Sequence, residues 1–203
     1  MAERSINYLA TVILHIKSNL SKFNCLINNT RKMRVLILTI LTLIGQLTFA
    51  QTDKSKRPSP PDNTKVTTTD GVTIDINYSR PSLKGRQLGV DIAPIGIVWR
   101  TGANEATTIE FNKDVLVEGK KLAAGKYGLY SIPGEHETTI MFNKVWNQWG
   151  TKYDANEDAL RVSVSNATAS NSQEQFKINA TPQGTVSLEW GEYVVPFTVK
   201  ASN

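Results

Sequence analysis

Val72, Ile74, Ile76 and Tyr78 alternate with Thr73, Asp75 and Asn77, and a period of two puts every apolar residue of that run on one face of an extended strand. A helix cannot use this pattern, because residues sharing a helical face recur every three or four positions. Similar short runs follow at residues 107–111, 114–117, 127–132, 139–142, 160–164, 176–180, 186–190 and 193–199. Gly119, Gly125, Gly134, Gly184 and Gly191 fall between them as turn punctuation. No amphipathic helical stretch of ten or more residues follows Ala50. The expectation is an all-β, single-domain antiparallel β-sandwich, with closure into a barrel left open. Trp190-Gly191-Glu192-Tyr193 is short enough for a tight reversal. Pro196, which cannot donate to a ladder, places the last strand at a sheet edge.

Charge is read correctly only after the chain is divided. Of 23 Lys and Arg and 18 Asp and Glu, residues 1–50 hold Arg4, Lys17, Lys22, Arg31, Lys32 and Arg34 against Glu3 alone, so 17 of each sign remain from Gln51 onward. A neutral remainder lacks the basic face that phosphate backbones require, and nucleic acid is not an expected partner. The N-terminal cations have another use. Arg31, Lys32 and Arg34 precede the uncharged run from Val35 to Ala50, which ends Leu47-Thr48-Phe49-Ala50 before Gln51. That is the layout of a cleaved signal peptide over residues 33–50, short of the about 20 apolar residues of a membrane span. Met33 stands where an initiator would, which makes residues 1–32 a misassigned or non-native leader. The expected location is periplasmic or secreted, without a lipid anchor, because no Cys lies at the cleavage point. Residues 51–63, polar with prolines at 58, 60 and 61, read as a flexible linker, and 64–201 as the sandwich domain.

Several chemistries drop out at once. The single Cys, Cys25, precedes the cleavage point, so the mature chain has no disulfide, no thiolate nucleophile and no Cys-ligated metal. One His remains, His136, in a turn-like stretch between Glu135 and Glu137, and a lone imidazole builds neither a multi-His metal site nor, in such a turn, a catalytic triad. No metal and no cofactor are expected.

What remains is the apolar segment between Asp91 and Glu110, which carries one cation and one anion, Arg100 and Glu105, around Gly102 and Asn104. Partly desolvated charges persist only when paired or given to a ligand. The favoured expectation is a mutual ion pair that pins the turn Thr101-Gly102-Ala103-Asn104. The functional reading is that Arg100, beside Trp99 and Thr101, presents its planar fork to a carboxylate or phosphate while Asn104 and Glu105 orient it. A third reading makes Glu105 a general base, with Asp91, Glu110 or Asp154 as the second carboxylate. Trp146, Trp149 and Tyr153, set among amides, either plug the open end of the sandwich, the favoured reading, or form a rim on which sugar rings stack. Arg80 and Arg86 belong to a basic turn that could enlarge an anion site at Arg100.

Tyr78-Ser79-Arg80-Pro81, Lys84-Gly85-Arg86, the run from Trp99 to Thr107, Ala124-Gly125-Lys126-Tyr127, Ile132-Pro133-Gly134, Trp149-Gly150 and Tyr153-Asp154 together resemble the family catalogued as domain of unknown function 2911. The resemblance runs from about Thr64 to Lys200 and implies an exported bacterial protein with no assigned activity. Ile95-Gly96 and Ala123 depart from its pattern, where an aromatic and a proline are usual. The functional expectation is a binding or structural module for a small anionic or glycan ligand, and the alternative a carboxylate-dependent hydrolase using Glu105.

Overall fold

The computed structural model describes residues 53–202 and, apart from them, Lys17. The signal-like segment 33–50 lies outside the described residues, as does the leader except for Lys17. Ten strands are described: β1 (Pro61–Thr67), β2 (Thr73–Ser79), β3 (Thr108–Phe111), β4 (Val115–Val117), β5 (Lys120–Leu122), β6 (Gly125–Ile132), β7 (Glu137–Asn143), β8 (Asp158–Ser165), β9 (Ala167–Ala180) and β10 (Thr185–Ala201). They form two antiparallel sheets, ordered β1-β2-β3-β6-β7-β8 and β5-β4-β10-β9. The sheets pack face to face without closing into a barrel, so the protein is a β-sandwich. Within residues 53–202 the helical elements are 3-10 turns at Lys54–Lys56 and Ala155–Glu157.

Alternation places the core as the sequence demands. Val72, Ile74, Ile76 and Tyr78 are all buried, while Asn77 is exposed. Against them lie Ile109 and Phe111 of β3, Leu129 of β6, Ile140 and Phe142 of β7, and from the second sheet Phe176, Ile178, Leu188, Phe197 and Val199. The outward-facing residues of β6 and β7 make a second, smaller cluster, in which Tyr130 and Met141 are fully buried beneath Tyr153. Burial on both faces is why β6 and β7 read as apolar runs and not as alternations.

Three expectations are corrected, and some strands were missed. Trp190-Gly191-Glu192-Tyr193 is no reversal: β10 continues through it for 17 residues, absorbing two register irregularities against β9. Gly191, at φ 60°, supplies the bulge, and a Cβ there would sit 2.9 Å from Leu88. Pro196 is not on an edge strand, because β10 lies between β4 and β9. It falls between Val194, the last residue paired with β9, and Val199, the first paired with β4, where no ladder bond is required of it. The linker is part of the fold from Asp53, since β1 opens at Pro61 and Arg80 N donates to the Pro60 carbonyl at 2.9 Å. Finally, β1, β5 and the first half of β9 went unread. Their exposed polar sequences carry no apolar period, and only pairing with a neighbour makes them strands.

Candidate functional site

The segment between β2 and β3 leaves the sheet, crosses one end of the sandwich, and returns. It rejoins at Trp99, whose N–H donates to the Ser131 carbonyl at 2.7 Å while Ser131 N–H donates back at 2.9 Å. It leaves again at once and re-enters at Thr107, whose carbonyl accepts from Leu129 N at 2.7 Å. Residues 100–106 are thus an excursion on the edge of β6. Trp99 shares the inward face with Ser131 and stacks on Trp190, centroids 5.4 Å apart and planes 17° apart. Thr101, fully buried at φ 50°, donates to Ser131 Oγ at 3.0 Å, and its carbonyl accepts from Thr107 Oγ1 at 2.7 Å. Thr101 is therefore committed to the scaffold.

The expected Arg100–Glu105 ion pair does not form. Glu105 turns to the N-terminal segment: Lys54 Nζ lies 3.0 Å from Oε1, and Arg57 donates to both carboxylate oxygens at 3.0 and 2.9 Å. Asn104, at φ 62°, donates from Nδ2 to the Ser59 carbonyl at 3.0 Å. The linker reading concealed these partners, because a free tether would have left Arg100 as the nearest cation. Burial pushes the Glu105 carboxyl up, but its backbone hydrogen bond and the Lys54 and Arg57 cations outweigh that and hold it at about 2. A carboxylate held so low is a weak base at neutral pH. Among the described residues none of Asp91, Glu110 and Asp154 shares a hydrogen bond with it.

This contact has a pH signature. The folded value of about 2 lies below the ordinary 4.5, so the stabilisation is complete above 4.5 and is lost as pH falls from there to 2. Glu105 keeps 42% of its side-chain surface, so solvent screening reduces the contribution to about 1 kcal/mol. Urea melts of the wild type and Glu105→Gln should differ by that amount at pH 7 and converge near pH 2. A difference independent of pH would contradict the pairing.

Arg100 is left alone. Its side chain lies against Gly150, where a Cβ would come within 2.4 Å of Arg100 Cδ and 3.0 Å of the Asn104 carbonyl. Its Nε is buried and has no acceptor, and it forms no ion pair among the described residues. The loop carrying Gly150 is zipped to the excursion by Gly150 N to the Asn104 carbonyl and Ala106 N to the Gln148 carbonyl, both 3.0 Å. Trp149, next to Gly150, is 49% exposed.

Other expected site residues separate. Trp146 is exposed, with Lys126 Nζ 4.8 Å from its ring centre, so neither it nor Trp149 plugs the sandwich. Tyr153 packs on Tyr130, donates to Asp158 at 2.6 Å and accepts from Arg161 at 2.8 Å. Its hydroxyl is pushed up to about 12 by burial and then by the Asp158 carboxylate. Arg80 joins Asp62 at 3.3 Å and donates to the Phe176 carbonyl at 3.1 Å, tying β1 to β9. Arg86 donates to the carbonyls of Leu83 and Ser82. Neither shares a partner with Arg100.

One feature was all but hidden in the sequence. An apolar cavity of about 90 Å³ opens between the sheets beside Trp99, Phe176 and Trp190. It is assembled from a loop and strands of both sheets, and only Trp99 hinted at it.

No curated protein and no solved structure matches this chain. A family model matches residues 59–199, which span the sandwich from the segment before β1 to near the end of β10 and include the whole excursion around Arg100. The chain belongs to the family described as "Protein of unknown function (DUF2911)".

Proposed function

We propose that this protein is an exported binding module that holds a small anionic ligand on Arg100, with Trp149 as a flat wall beside it. The supporting observation is the buried Arg100 Nε without an acceptor. An unsatisfied buried donor costs about 1–3 kcal/mol, and a ligand oxygen that fills it recovers that cost. The guanidinium fork matches carboxylate and phosphate in bidentate geometry. An exposed Trp offers a face to a sugar or another flat ring, so an acidic sugar combines both ligand features. The export part of the reading rests on the pattern of residues 33–50. Against the hydrolase alternative stands the low pKa of Glu105, already paired with two cations.

Titration calorimetry with glucuronate and with inorganic phosphate tests the site. Binding should disappear in Arg100→Ala and weaken at least tenfold in Arg100→Lys, which keeps the charge but loses the fork. Arg100→Ala should change stability by less than about 1 kcal/mol, because the lost contact with Gly150 is offset by relief of the unsatisfied donor. Failure of both anions to bind, or binding unchanged in Arg100→Ala, would overturn the proposal.

A further inference from the structure

The apolar cavity is separate from Arg100. Trp99 and Arg100 are neighbours in an extended segment, so their side chains leave on opposite sides, Trp99 inward and Arg100 toward Gly150. The cavity walls are Leu88, Ile95, Trp99, Phe176, Trp190 and Val195. Each of its hydroxyl-bearing side chains has a partner in the protein, and Trp190 Nε1 donates to the Glu174 carbonyl at 3.2 Å. Ser131 Oγ accepts from Thr101 at 3.0 Å, and Thr138 Oγ1 donates to Asn166 Oδ1 at 2.7 Å. Tyr193 donates to the Gly134 carbonyl and accepts from Asn166 at 2.8 Å. An occupant therefore finds mainly van der Waals surface, which suits hydrocarbon.

Size and surroundings narrow the class. An apolar cavity of about 150 Å³ holds benzene. By that comparison the 90 Å³ here accepts roughly three or four carbons, the end of a chain. The rest of the chain has somewhere to lie. Ile95 lines the cavity yet is 48% exposed, and the same loop exposes Val90, Ile97 and Val98. These solvent-exposed branched aliphatics sit on the loop that lines the mouth and offer apolar surface beside it. At the base of this loop stand Lys84 and Arg86, both exposed and with side chains that form no salt bridge among the described residues, although Lys84 N donates to the Glu174 carboxylate at 2.9 Å. Arg86 is two residues from Leu88 in the cavity wall, so their Cα atoms lie at most about 7.6 Å apart.

We infer that the cavity takes the methyl end of a single acyl chain whose anionic head group lies toward Lys84 and Arg86. The chain runs out of the cavity past Ile95 along the exposed apolar residues of the loop. This inference is independent of the Arg100 reading, since the two sites share no side chain. A free fatty acid and one chain of an anionic lipid offer the same chemistry.

Tryptophan fluorescence reads the cavity directly. The chain has four Trp residues, and the doubly substituted Trp146→Phe, Trp149→Phe protein leaves only the stacked pair Trp99 and Trp190 as reporters. The probe is 11-bromoundecanoate, whose terminal bromine quenches tryptophan on contact. Quenching should saturate and be displaced by unbranched carboxylates from hexanoate to dodecanoate. Affinity should rise about fourfold per methylene until the apolar surface of the loop is covered. Decanol should bind about threefold more weakly than decanoate, for want of the head-group charge.

Ile95→Glu should weaken the probe at least tenfold with little change in melting temperature, because the residue is half exposed. Val90→Glu, at a more exposed position, provides the same test if the first variant folds poorly. Vesicles of phosphatidylglycerol brominated near the chain ends separate the sources: quenching by vesicles alone assigns a bilayer chain, and quenching by the free acid assigns a soluble one. Absence of quenching by both overturns the inference. So does an affinity independent of chain length, undiminished quenching in a folded Ile95→Glu protein, or tighter binding of acetyl-leucine amide than of undecanoate, which would indicate a protein side chain as the occupant.

Discussion

Phe142→Ala should destabilise the protein by about 4 kcal/mol, the expected cost of removing a fully buried phenylalanine from a core that cannot collapse around the gap. Phe142 has no exposed surface and lies on β7, between β6 and the edge strand β8. Its ring meets Phe111 at 6.2 Å and Tyr127 at 6.4 Å within that sheet, and reaches across to Phe197 of the other sheet at 6.1 Å, edge to face. The substitution thus removes an attachment between the layers together with the hydrophobic contribution of one side chain. Against a typical total of about 5–15 kcal/mol, it leaves a marginal domain. Urea melts followed by tryptophan fluorescence measure the loss. A cost below about 1.5 kcal/mol would mean that cross-sheet aromatic packing is not what holds the sandwich together.

Gly184→Ala comes next, at about 3 kcal/mol. Gly184 turns β9 into β10 at φ 84°, and a Cβ added there would stand 2.1 Å from the Val199 carbonyl oxygen. That contact is with backbone. Val199 N is itself hydrogen-bonded to the Gly184 carbonyl at 2.8 Å, so the clash cannot be relieved by rotating a side chain. The left-handed geometry adds about 1–2 kcal/mol for any residue with a Cβ. Gly119→Ala serves as the control, because Gly119 has φ 76° but nothing within 4 Å of a new Cβ. It should cost only the conformational term. Equal losses at the two positions would show that the approach of Val199 to the turn contributes nothing.

The Arg100 region shows where sequence reasoning stops. The stretch from Trp99 to Glu105 stood out because charges in apolar surroundings need partners, and that inference led to the right loop. It chose the wrong partner for Glu105. Lys54 and Arg57 lie some fifty positions away in a proline-rich segment whose composition resembles a tether. Local composition describes what a segment does alone, and this one is ordered by what it touches. The same limit hid the strand character of β1 and of the first half of β9, which are polar on their exposed faces and acquire order through their partners. Gly191 failed in the opposite direction. A glycine between two apolar runs commonly marks a turn, but here it lets β10 bulge beneath Leu88 and continue.

What the sequence determined by itself was the all-β antiparallel class and the faces of the apolar strands. Side-chain alternation is a local geometric property of extended backbone, and Val72, Ile74, Ile76 and Tyr78 declare it without reference to the rest of the chain. It also determined which residue types are present to do chemistry, with one His and no Cys after Ala50. The tertiary structure alone decided who meets whom. It gave Glu105 to Lys54 and Arg57, left Arg100 Nε without an acceptor, and set Trp99 against Trp190 beside an apolar cavity. Those outcomes depend on contacts between segments far apart in the chain, whose pairing follows from how the two sheets stack and not from any local periodicity.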